Sequence, residues 1–219
     1  MLTDNIYADY NLDGNSNDGV GSNDGVDTNI SYSASYGKIG QGALLGSGKA
    51  IAIPTSIGAG DKTYSFWIYC TSVNAGVVNW IFGDWNNTVW NFLLYLATNG
   101  NIIFEYRNST NTATLQNTSA GAISLNTWYH IVMVRTSSTV KLYINGSQVG
   151  STANSNNPNV AGTISIGSAS DPFNGYFDII DMWQRALSEA EITELYNLGA
   201  GKQYPFTTAD GKGFLNFFK

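Results

Sequence analysis

The sequence predicts an all-β domain, a sandwich or barrel of antiparallel strands, and three observations predict it. Short apolar or alternating runs recur along the whole chain, and Asn-Gly pairs and other turn-forming residues separate them. Aromatics make up 13% and charged residues only 12%, with abundant Asn, Ser, Thr and Gly. A disordered chain would be poor in aromatic and β-branched residues, so this one folds. The 219 residues match one such domain of roughly 200–250 residues. At that size folding buries roughly 70% of the unfolded surface and needs no covalent staples.

Residues 11–29 form a loop rich in Gly, Asn and Asp, carrying Asn17-Asp18-Gly19-Val20 and Asn23-Asp24-Gly25-Val26. Each Asp-Gly favours a tight turn with positive φ. Lys49 to Ile53 is apolar and stops at Pro54. Thr63 to Cys70 alternates around Tyr64, Phe66, Ile68 and Cys70. Val77 to Phe82, Trp90 to Ala97 and Asn101 to Arg107 follow, with Asn99-Gly100 signalling a hairpin between the last two. Trp128 to Arg135 and Thr139 to Ile144 are the next pair. Asn145-Gly146 turns the chain into Ser147–Ser151, and Thr163 to Gly167 and Tyr176 to Trp183 complete the set. One helix is marked. Ser188-Glu189-Ala190-Glu191 is a capping box, Ile192, Leu195 and Tyr196 recur at helical spacing, and Gly199 supplies the stop.

The net charge is −6 and the pI about 4.5. A nucleic-acid partner needs a cationic field, and the lysines and arginines are scattered, so no nucleic-acid partner is expected. An anionic membrane surface is disfavoured on the same ground. No stretch nears the ~20 apolar residues of a membrane span, so no membrane insertion is expected. Met1-Leu2-Thr3-Asp4-Asn5 has no basic segment and no apolar core, hence no signal peptide is read there. The chain is then either used without Sec export, as a virion component would be, or a domain cut from a longer protein at an extracellular surface. The single cysteine, Cys70, excludes an internal disulfide and reads as a small buried hydrophobe.

Three segments together resemble the laminin-G-like jelly-roll family of concanavalin A-like lectins, including its pentraxin-like branch. The first is Tyr10-Asn11-Leu12-Asp13-Gly14-Asn15-Ser16-Asn17-Asp18 with Gly40-Gln41-Gly42-Ala43-Leu44. The second is Asn126-Thr127-Trp128-Tyr129-His130-Ile131-Val132 with Val140-Lys141-Leu142-Tyr143-Ile144-Asn145-Gly146. The third runs from Phe173-Asn174-Gly175-Tyr176-Phe177-Asp178 through Arg185-Ala186-Leu187-Ser188 to Leu195-Tyr196-Asn197. The resemblance implies a two-sheet antiparallel jelly-roll β-sandwich with one short C-terminal helix. It places the domain at residues 1–201 and leaves 202–219 as a separate apolar tail. Phe206, Phe214, Phe217 and Phe218 give that tail its character. It either packs on its own sandwich or docks to a partner subunit, because exposed apolar patches mark interfaces.

The same fold hosts glycoside hydrolases, which need two carboxylates flanking the scissile bond. In the laminarinase-type branch these lie on one strand as Glu-x-Asp-x-x-Glu. Of the four glutamates here, Glu189, Glu191 and Glu194 belong to the helix and Glu105 alone lies on a strand. Asp178 and Asp181 stand three apart on a strand and so are expected on opposite faces. His130, the one histidine, sits inside a strand and reads as structural. No enzyme is expected.

Two binding chemistries remain. Asp13-x-Asn15-x-Asn17 resembles the opening of a calcium loop, without the glycine and glutamate of an EF-hand. The family resemblance implies a structural calcium where the N-terminal loop meets the last long strand, at Asp18 and Asp178, with Asp13 and Asn17 beside them. The bland reading of the loop is a turn held by Asx hydrogen bonds. For a glycan, the segment with Asp84, Trp85, Asn86 and Asn87, with Tyr106 on the adjacent hairpin, supplies an aromatic platform beside amides and a carboxylate. Trp80 and Trp90 read as core. A non-catalytic lectin-like adhesion module in a larger assembly is the expectation, its partners a glycan or other subunits, a homo-oligomer among them. A structural virion protein (capsid, decoration or fibre) without glycan binding is the alternative, and a glycoside hydrolase the third.

Overall fold

The computed structural model describes residues 1–54, 60–76, 78–85, 90–107, 113–118, 121–137, 139–154, 163–168 and 170–206. Fifteen strands and one α-helix are present among them. In chain order the strands are β1 (Ile6–Tyr10), β2 (Val26–Thr28), β3 (Ser31–Ser33), β4 (Gly42–Leu45), β5 (Ala50–Ile53), β6 (Lys62–Ser72), β7 (Asn79–Trp85) and β8 (Trp90–Leu96). There follow β9 (Ile102–Arg107), β10 (Ala113–Asn117), β11 (Trp128–Arg135), β12 (Thr139–Ile144), β13 (Ser147–Asn154), β14 (Thr163–Ile166), β15 (Asn174–Trp183) and the helix α1 (Glu189–Tyr196).

These strands make two antiparallel sheets. The eight-stranded sheet runs β13-β12-β11-β6-β15-β4-β3, with β1 also paired to β15. The seven-stranded sheet runs β10-β9-β8-β7-β14-β5-β2. Alternate residues of both turn inward, as the period of two in a strand requires. Phe66, Ile68, Ile131 and Phe177 from one sheet meet Phe82, Leu94, Ile102 and Ile164 from the other in one core. Phe66 stacks on Phe82 with centroids 5.0 Å apart, and on its other side meets Phe177. Asn145 (φ 51°) and Gly146 (φ 78°) give the β12–β13 hairpin the two left-handed central residues of a tight turn matched to strand twist.

The outer face of the eight-stranded sheet is covered in part by α1. Ser188 accepts from the Glu191 amide while the Glu191 carboxylate accepts from the Ser188 amide, so the capping box forms. Ile192 and Leu195 then pack on Val132, Val134 and Trp183. The helix stops at Asn197, which takes the left-handed conformation (φ 48°) two residues before the glycine expected to do so.

Three expectations change. Gly19 and Gly25 do not adopt positive φ. They are needed for room instead: a Cβ would come within 2.6 Å of the Asp9 Oδ2 at Gly19 and of the Ser16 Oγ at Gly25. Asp178 and Asp181 do not fall on opposite faces. A bulge between them, with Ile179 at φ 47°, inserts an extra residue. Phe177, Ile180 and Met182 therefore face the core, and both aspartates face outward. Finally, the packed part of the chain does not end at residue 201. Phe206 is buried against Trp183, rings 6.1 Å apart, and Asn11 Nδ2 donates to the Tyr204 carbonyl. At least this start of the tail packs on its own domain. Phe214, Phe217 and Phe218 lie outside the described residues. No helix among the described residues is long and apolar enough to cross a membrane.

Candidate functional site

On the outer face of the seven-stranded sheet the alternation of β7 is broken by a bulge between Trp80 and Phe82. Ile81 and Phe82 both turn into the core, and Trp80 turns out. Its Nε1 donates to the backbone carbonyl of Ser165 on β14, at 3.4 Å. Its benzo edge covers Gly83, where a Cβ would meet Cζ2 at 2.7 Å. Nε1, Cε2 and Cζ2 are consecutive atoms of one indole edge, and Gly83 and Ser165 are cross-strand partners, so that edge rests across β7 and β14. The residue as a whole is half-buried.

Three side chains join this surface. Tyr95 on β8 is the direct cross-strand partner of Trp80, close enough for the two rings to act together. Glu105 on β9 lies diagonally from Tyr95, since Leu93 pairs with Glu105 and Tyr95 with Ile103. Leu94, Leu96 and Phe104 face the core, which puts Tyr95 and Glu105 on the outer face with Trp80. Burial, and then the charge of Glu105, push the Tyr95 phenol above its ordinary pKa. Ser165 contributes its hydroxyl, which donates to the Gly167 carbonyl. The result is an apolar plate rimmed by a phenol, a carboxylate and a hydroxyl. That combination suits a ring with an apolar face and a polar fringe.

The residues predicted as a glycan site are placed differently. Asp84 faces the interior between its partners Phe92 and Ile164, and its charge acts on Lys62 of the opposite sheet. Burial and neighbouring Arg135 lower Lys62 to a pKa of about 8, with Asp84 opposing them. Asp84 therefore belongs to a charged cluster inside the sandwich. The backbones of Trp85 and Tyr106 lie on β7 and β9, and their side chains, with the whole of Asn86 and Asn87, lie outside what is described. Trp80, expected in the core, is the residue the sequence reading missed. The available signal was Gly83, a small residue in the middle of an aromatic strand, which marks close approach of another group.

The residues predicted to hold calcium are engaged in hydrogen bonds. Asp18 accepts from the amides of Asp9, Val20 and Asn23 and from Asn23 Nδ2, at 2.9–3.2 Å. Asp178 accepts from the amides of Lys38, Ile39 and Ile179, at 2.6–2.9 Å. Burial nonetheless pushes the Asp178 carboxyl up to about 7. Asp13 accepts from the Gln41 amide and from Gln203 Nε2, and Asn17 donates its amide to the Asn15 side chain. Among the described residues, no three His, Cys, Asp or Glu side chains converge on one point. His130 is buried, takes part in a 2.8 Å hydrogen bond with Ser65, and is held neutral by burial, its pKa near 3.

Two face-to-face antiparallel sheets and, among the described residues, one α-helix after the last strand define a concanavalin A-like sandwich. The chain belongs to the concanavalin A-like lectin/glucanases superfamily, which it matches over residues 45–193. No curated protein matches it by sequence. Among solved structures it is similar to domain 4 of a GH43 extracellular arabinanase from Geobacillus stearothermophilus, solved in complex with arabinotriose. That match has a TM-score of 0.69 at 22% identity and covers 86% of this chain and 97% of that one. It is also similar to the receptor binding domain of botulinum neurotoxin D, with a TM-score of 0.72 at 17% identity over 90% of this chain. A structure of botulinum neurotoxin type C, whose cell entry depends on interaction with two ganglioside molecules, gives a TM-score of 0.73 at 15% identity over 92% of this chain. The chain spans about half of those two toxin structures, 53% and 52%. At these identities the likeness is one of fold.

Proposed function

We propose that this chain is a non-catalytic glycan-binding module that uses the outer face of its seven-stranded sheet. The observation that carries the reading is a half-buried tryptophan on the outer face: Trp80 rests an indole edge across β7 and β14 over Gly83, beside Tyr95 and Glu105. A pyranose or furanose ring stacks its C–H face on such a plate while its hydroxyls bond to the rim. Tryptophan and tyrosine serve well because they offer large rigid area at low entropic cost. Membership of a lectin-containing superfamily supports the reading. So does the similar arabinanase domain, which was solved with a bound trisaccharide.

Binding without cleavage follows from β9, whose one acidic residue is Glu105. Hydrolysis with retention needs a second carboxyl about 5–5.5 Å away. A module of this kind would serve as an adhesive or targeting part of a larger assembly.

The test is a glycan array, with arabinan oligosaccharides included, probed with wild type and Trp80→Ala. Specific signal in wild type, weakened ~tenfold or more by the substitution, is the expected result, since truncating an aromatic anchor costs upward of ~1–2 kcal/mol. Bound sugars should be recovered intact, with no new reducing ends. Silence on the array, or equal binding by the variant, would refute the reading.

A further inference from the structure

The outer face of the eight-stranded sheet holds a pair of acids to which no hydrogen-bond donor is supplied among the described residues. Asp9 and Asp181 are direct cross-strand partners on β1 and β15, and each is 1% exposed. Their chain neighbours Ala8, Tyr10, Ile180 and Met182 all face the core, so both carboxyls point to the same outer side. All four carboxyl oxygens are buried and none receives a hydrogen bond from an N–H or hydroxyl. Ser65, opposite Asp181 on β6, is engaged with His130.

The contrast with the neighbouring acids is informative. Asp18 and Asp178 are given four and three N–H donors, as buried carboxylates require. Asp9 and Asp181 are given only each other. Two adjacent anions in that position would repel at short range without screening. A proton between them turns one carboxyl into a donor and satisfies the other. A cation fits less well, because calcium takes six to eight oxygens and no third acid converges here among the described residues.

We infer that Asp9 and Asp181 share a proton, and that this proton is a pH-sensitive clasp fastening the N-terminal strand β1 to β15. The charges bearing on the pair are carboxylates of the loop after β1, Asp13 and Asp18, which oppose ionisation of Asp9. From β11, His130 bonds to Ser65, the cross-strand partner of Asp181, and is held neutral by burial. Burial first, then those charges, hold Asp9 near 7, while burial and Asp9 hold Asp181 well above the usual range. The native state thus keeps protons that the unfolded chain releases near pH 4. The stabilisation is complete below that pH and falls as pH rises above it, the shared proton leaving last because Asp181 is held well above the usual range. The clasp is independent of the glycan site, which lies on the other sheet.

The experiment follows thermal and urea unfolding of wild type, Asp9→Asn and Asp181→Asn from pH 5 to pH 8, each in EDTA and in calcium. Asparagine donates a permanent N–H to the remaining carboxylate. Wild type should lose at least about a hundredfold in folding constant beyond what either variant loses across that range, from about tenfold per pH unit per retained proton. Taking the difference cancels Asp178, whose own raised carboxyl contributes equally to all three. Parallel profiles for wild type and variants would overturn the inference. So would a calcium-dependent rise in wild-type stability at pH 8 that EDTA reverses. Should neither variant fold, amide exchange in wild type decides: β1 must open faster than β11 as pH rises, and an equal trend in both strands refutes the clasp.

Discussion

Gly83 and Trp80 illustrate how one side chain's placement is set by the absence of another. The indole can lie on the sheet only because position 83 carries no Cβ. Gly83→Val is expected to lift the ring off the sheet and weaken glycan binding at least tenfold, with the fold retained by near-ultraviolet circular dichroism. Asp178 acts in a different way, as the acceptor for three amides that hold residues 38–39 against the sheet. Asp178→Ala leaves those donors without a partner, and urea denaturation should report a loss of roughly 2–4 kcal/mol. The sequence reading found Asp18 and Asp178 as notable acids, on resemblance. The amides on Asp18 are local and fit the turn held by Asx hydrogen bonds, whereas the Lys38 and Ile39 amides on Asp178 come from a distant part of the chain and leave no local signal. The sequence reading also placed Trp80 in the core, because β-strand alternation predicts the face of a residue only where no bulge intervenes.

Hairpins and the helix were legible because their signals are local. Asn145-Gly146 carries its own turn geometry, and Ser188 with Glu191 carries its own cap. Ser188→Ala should cost about 1 kcal/mol by the same denaturation measurement, through the lost bond to the Glu191 amide. The short strands β2, β3 and β4 were not read as strands. Three or four residues make too little pattern, and what fixes them is pairing of β2 to β5, of β4 to β15 and of β3 to β4. β1 escaped for a related reason: its alternation is interrupted by a bulge between Ile6 and Ala8, and two of its buried side chains, Asp9 and Tyr10, are polar or amphipathic. Bulges also explain why Asp178 and Asp181 share a face against the two-residue rule. Two of the bulges lie where a side chain is re-aimed, at Trp80 outward and at Asp178 toward the loop.

For the molecule as a whole, apolar alternation over most of the chain gave the two-sheet core, and the family match agrees with it. Of the two expected fates of the apolar tail, its first aromatic takes the nearer one, stacked on Trp183 of its own domain. Phe206→Ala should lower stability by about 3 kcal/mol, detectable as a reduced urea midpoint with an unchanged slope. The two outer faces have separate duties. One sheet is covered by α1 and by residues 201–206 and carries the acid clasp. The other carries the half-buried Trp80 beside Tyr95 and Glu105. The most direct measurement is a nitrogen-edited NMR titration of the whole chain with an oligosaccharide that it retains. The account predicts shifts at the Trp80 indole N–H and at the Tyr95 and Glu105 amides, with the Trp183 indole and His130 unmoved. Shifts confined to the helix-covered sheet, or to neither sheet, would contradict it.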